Sequence, residues 1–136
     1  MDWSECIKKR IAKDIQADEN MIYSLIQISE NKMKTLSKIE LDDITAASKV
    51  LLAYDSLREI LEALAIKKGF KIYNHECYTH FLKEILNDSI KGDEFDELRI
   101  IRNSINYYGK PITTRDAGVV IKRIILLRNS FLNLFN

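Results

Sequence analysis

The stretch DDITAASKVLLAYDSLREILEALAIKKG, residues 42–69, decides the fold. Its apolar positions Ala47, Val50, Leu51, Tyr54, Leu57, Leu61, Leu64 and Ala65 recur every three or four residues, the repeat of an α-helix that turns one face to a core. Asp42 or Asp43 can cap its start, and Gly69 stands where a left-handed residue ends a helix. A helix this long needs other helices to cover its apolar side, and the flanking sequence supplies them.

Before it, Asp18 or Glu19 opens a helix to about Ser37. Met21, Ile22, Leu25, Ile26, Ile28, Met33 and Leu36 form its stripe, and lysines gather at its C-terminal end, where the helix dipole favours cations. After it, Asn74 caps a helix carrying Cys77, Tyr78, Phe81, Leu82, Ile85 and Leu86 to about Asp88. Gly92 and Asp93 open the next, with Phe95, Leu98, Ile101, Ile105 and Tyr108 as its stripe, and Gly109-Lys110-Pro111 closes it. Thr113 and Asp116 form a capping box for the last helix, whose core face reads Val120, Ile121, Ile124, Leu127, Phe131, Leu134 and Phe135. Residues 1–17 read either as a short helix, from Ile7, Ile11 and Ile15, or as an irregular lead-in. No segment alternates with period two, so no sheet is expected. The fold class is all-α, an antiparallel bundle of four to five helices.

The chain has 136 residues, 46% apolar and 30% charged, which predicts one domain over 1–136 with a core of its own. Lys and Arg number 21 against 20 Asp and Glu, so no global basic field draws in nucleic acid or anionic lipid, and any such binding needs a local patch. No apolar run approaches the ~20 residues of a membrane span, and the start MDWSECIKKRIAKDI builds no signal-peptide core. Cys6 and Cys77 form no CxxC motif and are too few for a disulfide scaffold. A reducing compartment, the cytoplasm, is the expectation, with no membrane partner.

Three groups of residues carry chemistry. His75, Glu76, Cys77 and His80 are metal-ligand types, but on a helix they point in different directions, so no metal is predicted; Glu76 with His80 reads as a surface pair and Cys77 as packing. Arg58, Glu59 and Glu62 read as surface charges, with an Arg58–Glu62 bridge. Arg99, Arg102, Asn103 and Asn106 share one helix face. Arginine suits a two-pronged grip on phosphate and asparagine can donate to a sugar or phosphate oxygen, although a solvated face has the same composition.

The segment RNSINYYG, residues 102–109, resembles the signature of the HEPN superfamily, in which an Arg is followed by a polar residue and, four to six residues beyond the Arg, usually by a His. The runs LREILEALA (57–65) and KGFKIYNHECYTHFL (68–82) look like the second and third helices of small archaeal-type HEPN proteins, and the likeness extends over roughly residues 18 to 135. The resemblance implies a homodimer whose Arg-bearing helices line a shared cleft. In active members Arg and His cut RNA without a metal; other members are toxins, substrate-binding modules or partners of a small nucleotidyltransferase.

Carried over, Arg102 holds the phosphate and Asn103 is the polar residue beside it. Tyr107 stands at the nearest place for the His, followed by Tyr108 and Gly109, and no His follows Arg102 in the chain. A phenol, with an ordinary pKa of about 10, is a poor base near neutrality, and general acid–base transfer is worth about 100- to 10,000-fold. The tyrosine that some members offer for adenylylation would fall at Gly109, and His75 or His80 could reach the cleft from a neighbouring helix.

The expected function is therefore a weakly active or non-catalytic binder of RNA or a nucleotide, through Arg99, Arg102, Asn103, Asn106 and Tyr108 and without a cofactor. The alternatives are a toxin-type, metal-independent endoribonuclease using Arg102, Asn103 and Tyr107, and an interaction subunit for a nucleotidyltransferase. Whether the chain is an enzyme stays open at this point.

Overall fold

A computed structural model describes residues 1–135. Six α-helices carry the fold: α1 (Trp3–Lys8), α2 (Glu19–Ser37), α3 (Ala46–Lys67), α4 (His75–His80), α5 (Ser89–Asn106) and α6 (Thr114–Leu132). Two three-residue strands join them, β1 (Ala12–Asp14) and β2 (Phe70–Ile72). One cluster of buried apolar side chains draws on all six helices, from Trp3 through Leu36, Leu57, Phe81 and Phe95 to Phe131. No helix among the described residues is long and apolar enough to cross a membrane.

Helix α3 is the centre of the bundle. The expected stripe of Val50, Tyr54, Leu57, Leu61 and Leu64 is buried, but so are Ala46, Ala53, Ser56, Ile60, Ala63 and Ile66, because α2 and α6 pack along its length and α5 crosses it. A helix covered on several sides shows no clean amphipathic period, and its alanines let neighbours approach. Even Glu59 is buried, against Lys32 of α2 at 2.7 Å. Arg58 and Glu62 do bridge, at 2.6 Å, with Lys71 of β2 adding a contact to Glu62 at 2.8 Å, but both are largely covered and are not the surface charges expected.

Helix α2 faces α3 with Ile22, Ser29 and Leu36, seven residues apart. The Ser29 hydroxyl donates to the Ser56 carbonyl at 2.6 Å and accepts from Arg128 Nε at 2.9 Å, so one oxygen joins α2, α3 and α6. Arg128, 3% exposed, completes the link with an ion pair to Glu30 at 2.6 Å.

Several helix ends match the sequence reading. Asp18 caps α2, Asn74 caps α4, and the Thr113 hydroxyl accepts from the Asp116 amide at the start of α6. Gly69, at φ 91°, follows α3 in the left-handed region that glycine tolerates best. Others are corrected. Thr45 occupies the N-cap of α3, while the Asp42 carboxylate accepts from the Ile44 and Thr45 amides. These bonds, led by that from Thr45, lower the Asp42 pKa. Helix α5 starts at Ser89 under an Asp88 cap, and Gly92, expected to open it, is buried in its first turn. Helix α4 runs on as a π-helical turn, Phe81–Ile85. Tyr108 is 76% exposed and takes no part in the core, since α5 has ended at Asn106, and Leu134 is also exposed.

The expectation of no sheet is overturned. Strands β1 and β2 pair antiparallel, Ala12 opposite Ile72 and Asp14 opposite Phe70, with flanking bonds from the Ile15 amide to the Gly69 carbonyl and from Tyr73 to Ile11. Three residues are too short for a period of two to register. The N-terminal segment is a short helix, Trp3–Lys8, and then a strand, so the helix reading holds for its first part only, Ile11 and Ile15 lie outside that helix, and the strand corresponds to neither reading. It is anchored by Trp3, which packs edge-on to Phe70 at 5.1 Å, and by a disulfide between Cys6 and Cys77 that ties α1 to α4. The sequence reading had left these two cysteines unpaired, and the reducing compartment expected from them loses its support.

Helices α4 and α5 run antiparallel in close contact, and this pairing builds the site. A Cβ on Gly92 would stand 2.7 Å from Lys83 Cγ and 3.3 Å from the Thr79 carbonyl. Further along, Thr79 donates to Asp96 at 3.1 Å, Asp96 accepts from Arg99, and Arg99 reaches toward Glu76 at 3.9 Å. The next residues along this seam are His75 and Arg102.

Candidate functional site

At the open end of the α4–α5 seam lies a polar pocket of about 340 Å³. Its walls are Tyr73 and Asn74 before α4, His75 and Glu76 of its first turn, and Arg99, Arg102, Asn103 and Tyr107 from the end of α5. Asn74 makes this geometry local: its side chain accepts from the Glu76 amide at 2.8 Å, which sets His75 as the first helical residue.

Of the residues singled out in the sequence, Arg99, Arg102, Asn103 and Tyr107 come together here. Asn106 and Tyr108 do not: both are exposed and neither lines the pocket. Asn106 lies on the same helix face as Arg99 and Arg102, but at the end of α5, past the start of α4.

The two arginines differ in their electrostatics. Arg99 gives two hydrogen bonds to Asp96, at 3.0 and 2.9 Å, so a carboxylate offsets its charge. Arg102 donates from one nitrogen to the Asn103 side-chain oxygen at 3.2 Å and to the Tyr107 hydroxyl at 3.1 Å. Its guanidinium lies 5.3 Å from the ring centroid of Tyr54 and 5.1 Å from that of Tyr107. Among the described residues no carboxylate is within ion-pair distance of Arg102. A guanidinium held over aromatic faces keeps its charge and its planar set of donors for a ligand.

Two further members of this site were not assigned to it from the sequence. His75, placed in the first turn of its helix and named with His80 only as able to reach the cleft, lines the pocket, and its Nδ1 is 3.0 Å from the hydroxyl of Tyr54. Tyr54, read only as core, is with Tyr78 among the largest fully buried side chains and connects His75 to Arg102. Burial raises the Tyr54 pKa, so the phenol keeps its proton. Burial also pushes the His75 pKa down, to about 4, with help from the positive charges of Arg58 and Arg102. The imidazole is therefore neutral near neutral pH. The available signal was its position, directly after the Asn74 cap, in a turn that faces the end of α5.

The remaining members of the supposed metal-ligand group separate. Cys77 is bonded to Cys6, and His80 lies 4.0 Å from Glu84, while Glu76 faces Arg99; the expected Glu76–His80 pair is not made. No group of three His, Cys, Asp or Glu suited to a metal exists among the described residues.

Chemically, the pocket can hold an anion between two guanidiniums, add amide donors from asparagine, and offer an imidazole beside it. No family model matches the chain, and neither does any curated protein or solved structure.

Proposed function

We propose that this chain is a HEPN-like helical protein that binds RNA or a nucleotide through its phosphate, as a homodimer, with Arg102 as the principal contact. The observation that supports this reading is the guanidinium of Arg102, which is steadied by Tyr54, Tyr107 and Asn103, has no carboxylate partner among the described residues, and opens on a polar pocket. The near-neutral net charge agrees with a local patch doing the binding. Arg99 and Asn103 are the supporting contacts.

A second reading, a metal-independent endoribonuclease, gains one specific support. The histidine that the Arg102 segment lacks has a counterpart in His75, which reaches the same pocket from α4. Tyr107, by contrast, is engaged with Arg102.

Incubating end-labelled single-stranded RNA with the chain in chelator, at one salt concentration, separates these readings. A mobility shift that Arg102→Ala abolishes, without cleavage, is the expected result. Cleavage lost in both Arg102→Ala and His75→Gln favours the nuclease. No shift and no cleavage would overturn both and leave the Arg-Asn face as a docking surface, for instance for a nucleotidyltransferase. Sedimentation of the same samples reads out the homodimer.

A further inference from the structure

We propose that the pocket takes up its anion together with a proton: His75 is the proton acceptor, and a phosphate lodged against Arg99 and Arg102 is held in part by the imidazolium it creates. This rests on the phosphate reading of the pocket given above.

Three helices surround His75 with titratable and charged groups. From α3 come Tyr54, Asp55 and Arg58, from α4 Tyr78 and Glu76, and from α5 Arg99 and Arg102. Burial and the three guanidiniums outweigh Asp55, and the imidazole is neutral near neutral pH, with its pKa at about 4. An anion entering between Arg102 and His75 reverses that balance. An opposite charge within about 4–6 Å favours the charged form of the ring, so the anion raises the His75 pKa back toward its ordinary value.

Tyr54 makes both protonation states acceptable. Its hydroxyl can donate to Nδ1 of the neutral ring, which fixes the remaining hydrogen on Nε2. When the ring takes a second proton from solvent, Nδ1–H donates to the same oxygen, and the 3.0 Å contact persists with its direction reversed. In either state Nε2, the ring nitrogen with no partner among the described residues, carries a hydrogen for the ligand. A carboxylate in place of Tyr54 would keep the ring charged in the empty pocket, and an apolar side chain would leave Nδ1 without a partner.

The test is isothermal titration of sulfate and, separately, of a short oligouridylate, neither of which titrates between pH 5 and 8, at constant ionic strength. Wild-type chain is expected to bind both more tightly as the pH falls, by up to about tenfold per pH unit. Net proton uptake should appear when buffers of different ionisation enthalpy are compared. His75→Gln, which keeps a hydrogen-bonding partner for Tyr54, is expected to bind with no pH slope and no proton uptake; circular dichroism checks that it is folded. A flat profile in the wild type, or the same slope in His75→Gln, overturns the proposal while leaving the phosphate site intact. If Arg102→Ala binds sulfate as well as the wild type does, the phosphate reading falls and this proposal falls with it.

Discussion

The hydroxyl of Tyr54 lies 3.0 Å from Nδ1 of His75, so the central helix of the bundle reaches through the core to orient a ring at the edge of the pocket. The same tyrosine ring supports Arg102. Tyr54→Phe keeps the ring and removes the hydroxyl, and is expected to cost about 1 kcal/mol of stability in urea unfolding. Tyr54→Ala removes both and is expected to cost about 3 to 5 kcal/mol.

The stability of the empty chain should depend on His75 in a defined direction. Its folded pKa, about 4, is below the ordinary value of 6.5, so between those values the unfolded chain binds more protons than the folded one. The contribution is complete above about pH 6.5, is lost as the pH falls toward 4, and changes no further below that. Urea unfolding at pH 7, 5.5 and 4 should show a loss in the wild type that is smaller in His75→Gln. Equal losses in both would rule out the depressed histidine.

The disulfide offers a separate check on the fold. Cys6 and Cys77 close a loop across a sequence separation of 71 residues, and a cross-link over such a distance is worth about 4 kcal/mol in the chain-entropy account. Reductant, or Cys6→Ser, should therefore lower the melting temperature measurably. Both sulfurs are fully buried and bonded to each other, so neither cysteine should be alkylated until the bond is reduced and the chain unfolded.

Gly92 tests the seam on which the site is built. Gly92→Leu must push apart α5 and the Thr79–Lys83 segment; overpacking of this kind costs about 1 to 3 kcal/mol, partly offset by the better helix propensity of leucine, about 1 kcal/mol. The expected net loss in thermal unfolding is about 0 to 2 kcal/mol, accompanied by weaker anion binding although no pocket residue has changed.

What the sequence made legible follows from how far each signal reaches along the chain. The ends of α2, the start of α6 and the caps at Asp18, Asn74 and Thr113 are decided within a few residues, and the sequence reading located them correctly; the core face expected for the last helix ran on to Leu134 and Phe135, past the end of α6 at Leu132. The polar face of Arg99, Arg102 and Asn103 is likewise a local property of one helix. Strands β1 and β2 pair residues almost 60 positions apart, and each is too short to carry a period. Tyr54 and His75 look like core and surface when each is read on its own helix; only the crossing of α3 with the start of α4 makes them a pair. Arg128 sat on a stripe taken as apolar, because nothing local announces a buried guanidinium matched to Ser29 and Glu30 on another helix.

The role of Arg102 is tested by the equilibrium affinity of a fluorescently labelled single-stranded oligoribonucleotide for wild type and for Arg102→Ala, with chelator present and at one salt concentration. A charge-assisted contact of an arginine with phosphate is worth about 1.5 to 3 kcal/mol, so the expected loss in the variant is about ten- to 100-fold, with the melting temperature little changed. Equal affinity in the two proteins, or no binding by either, would contradict it.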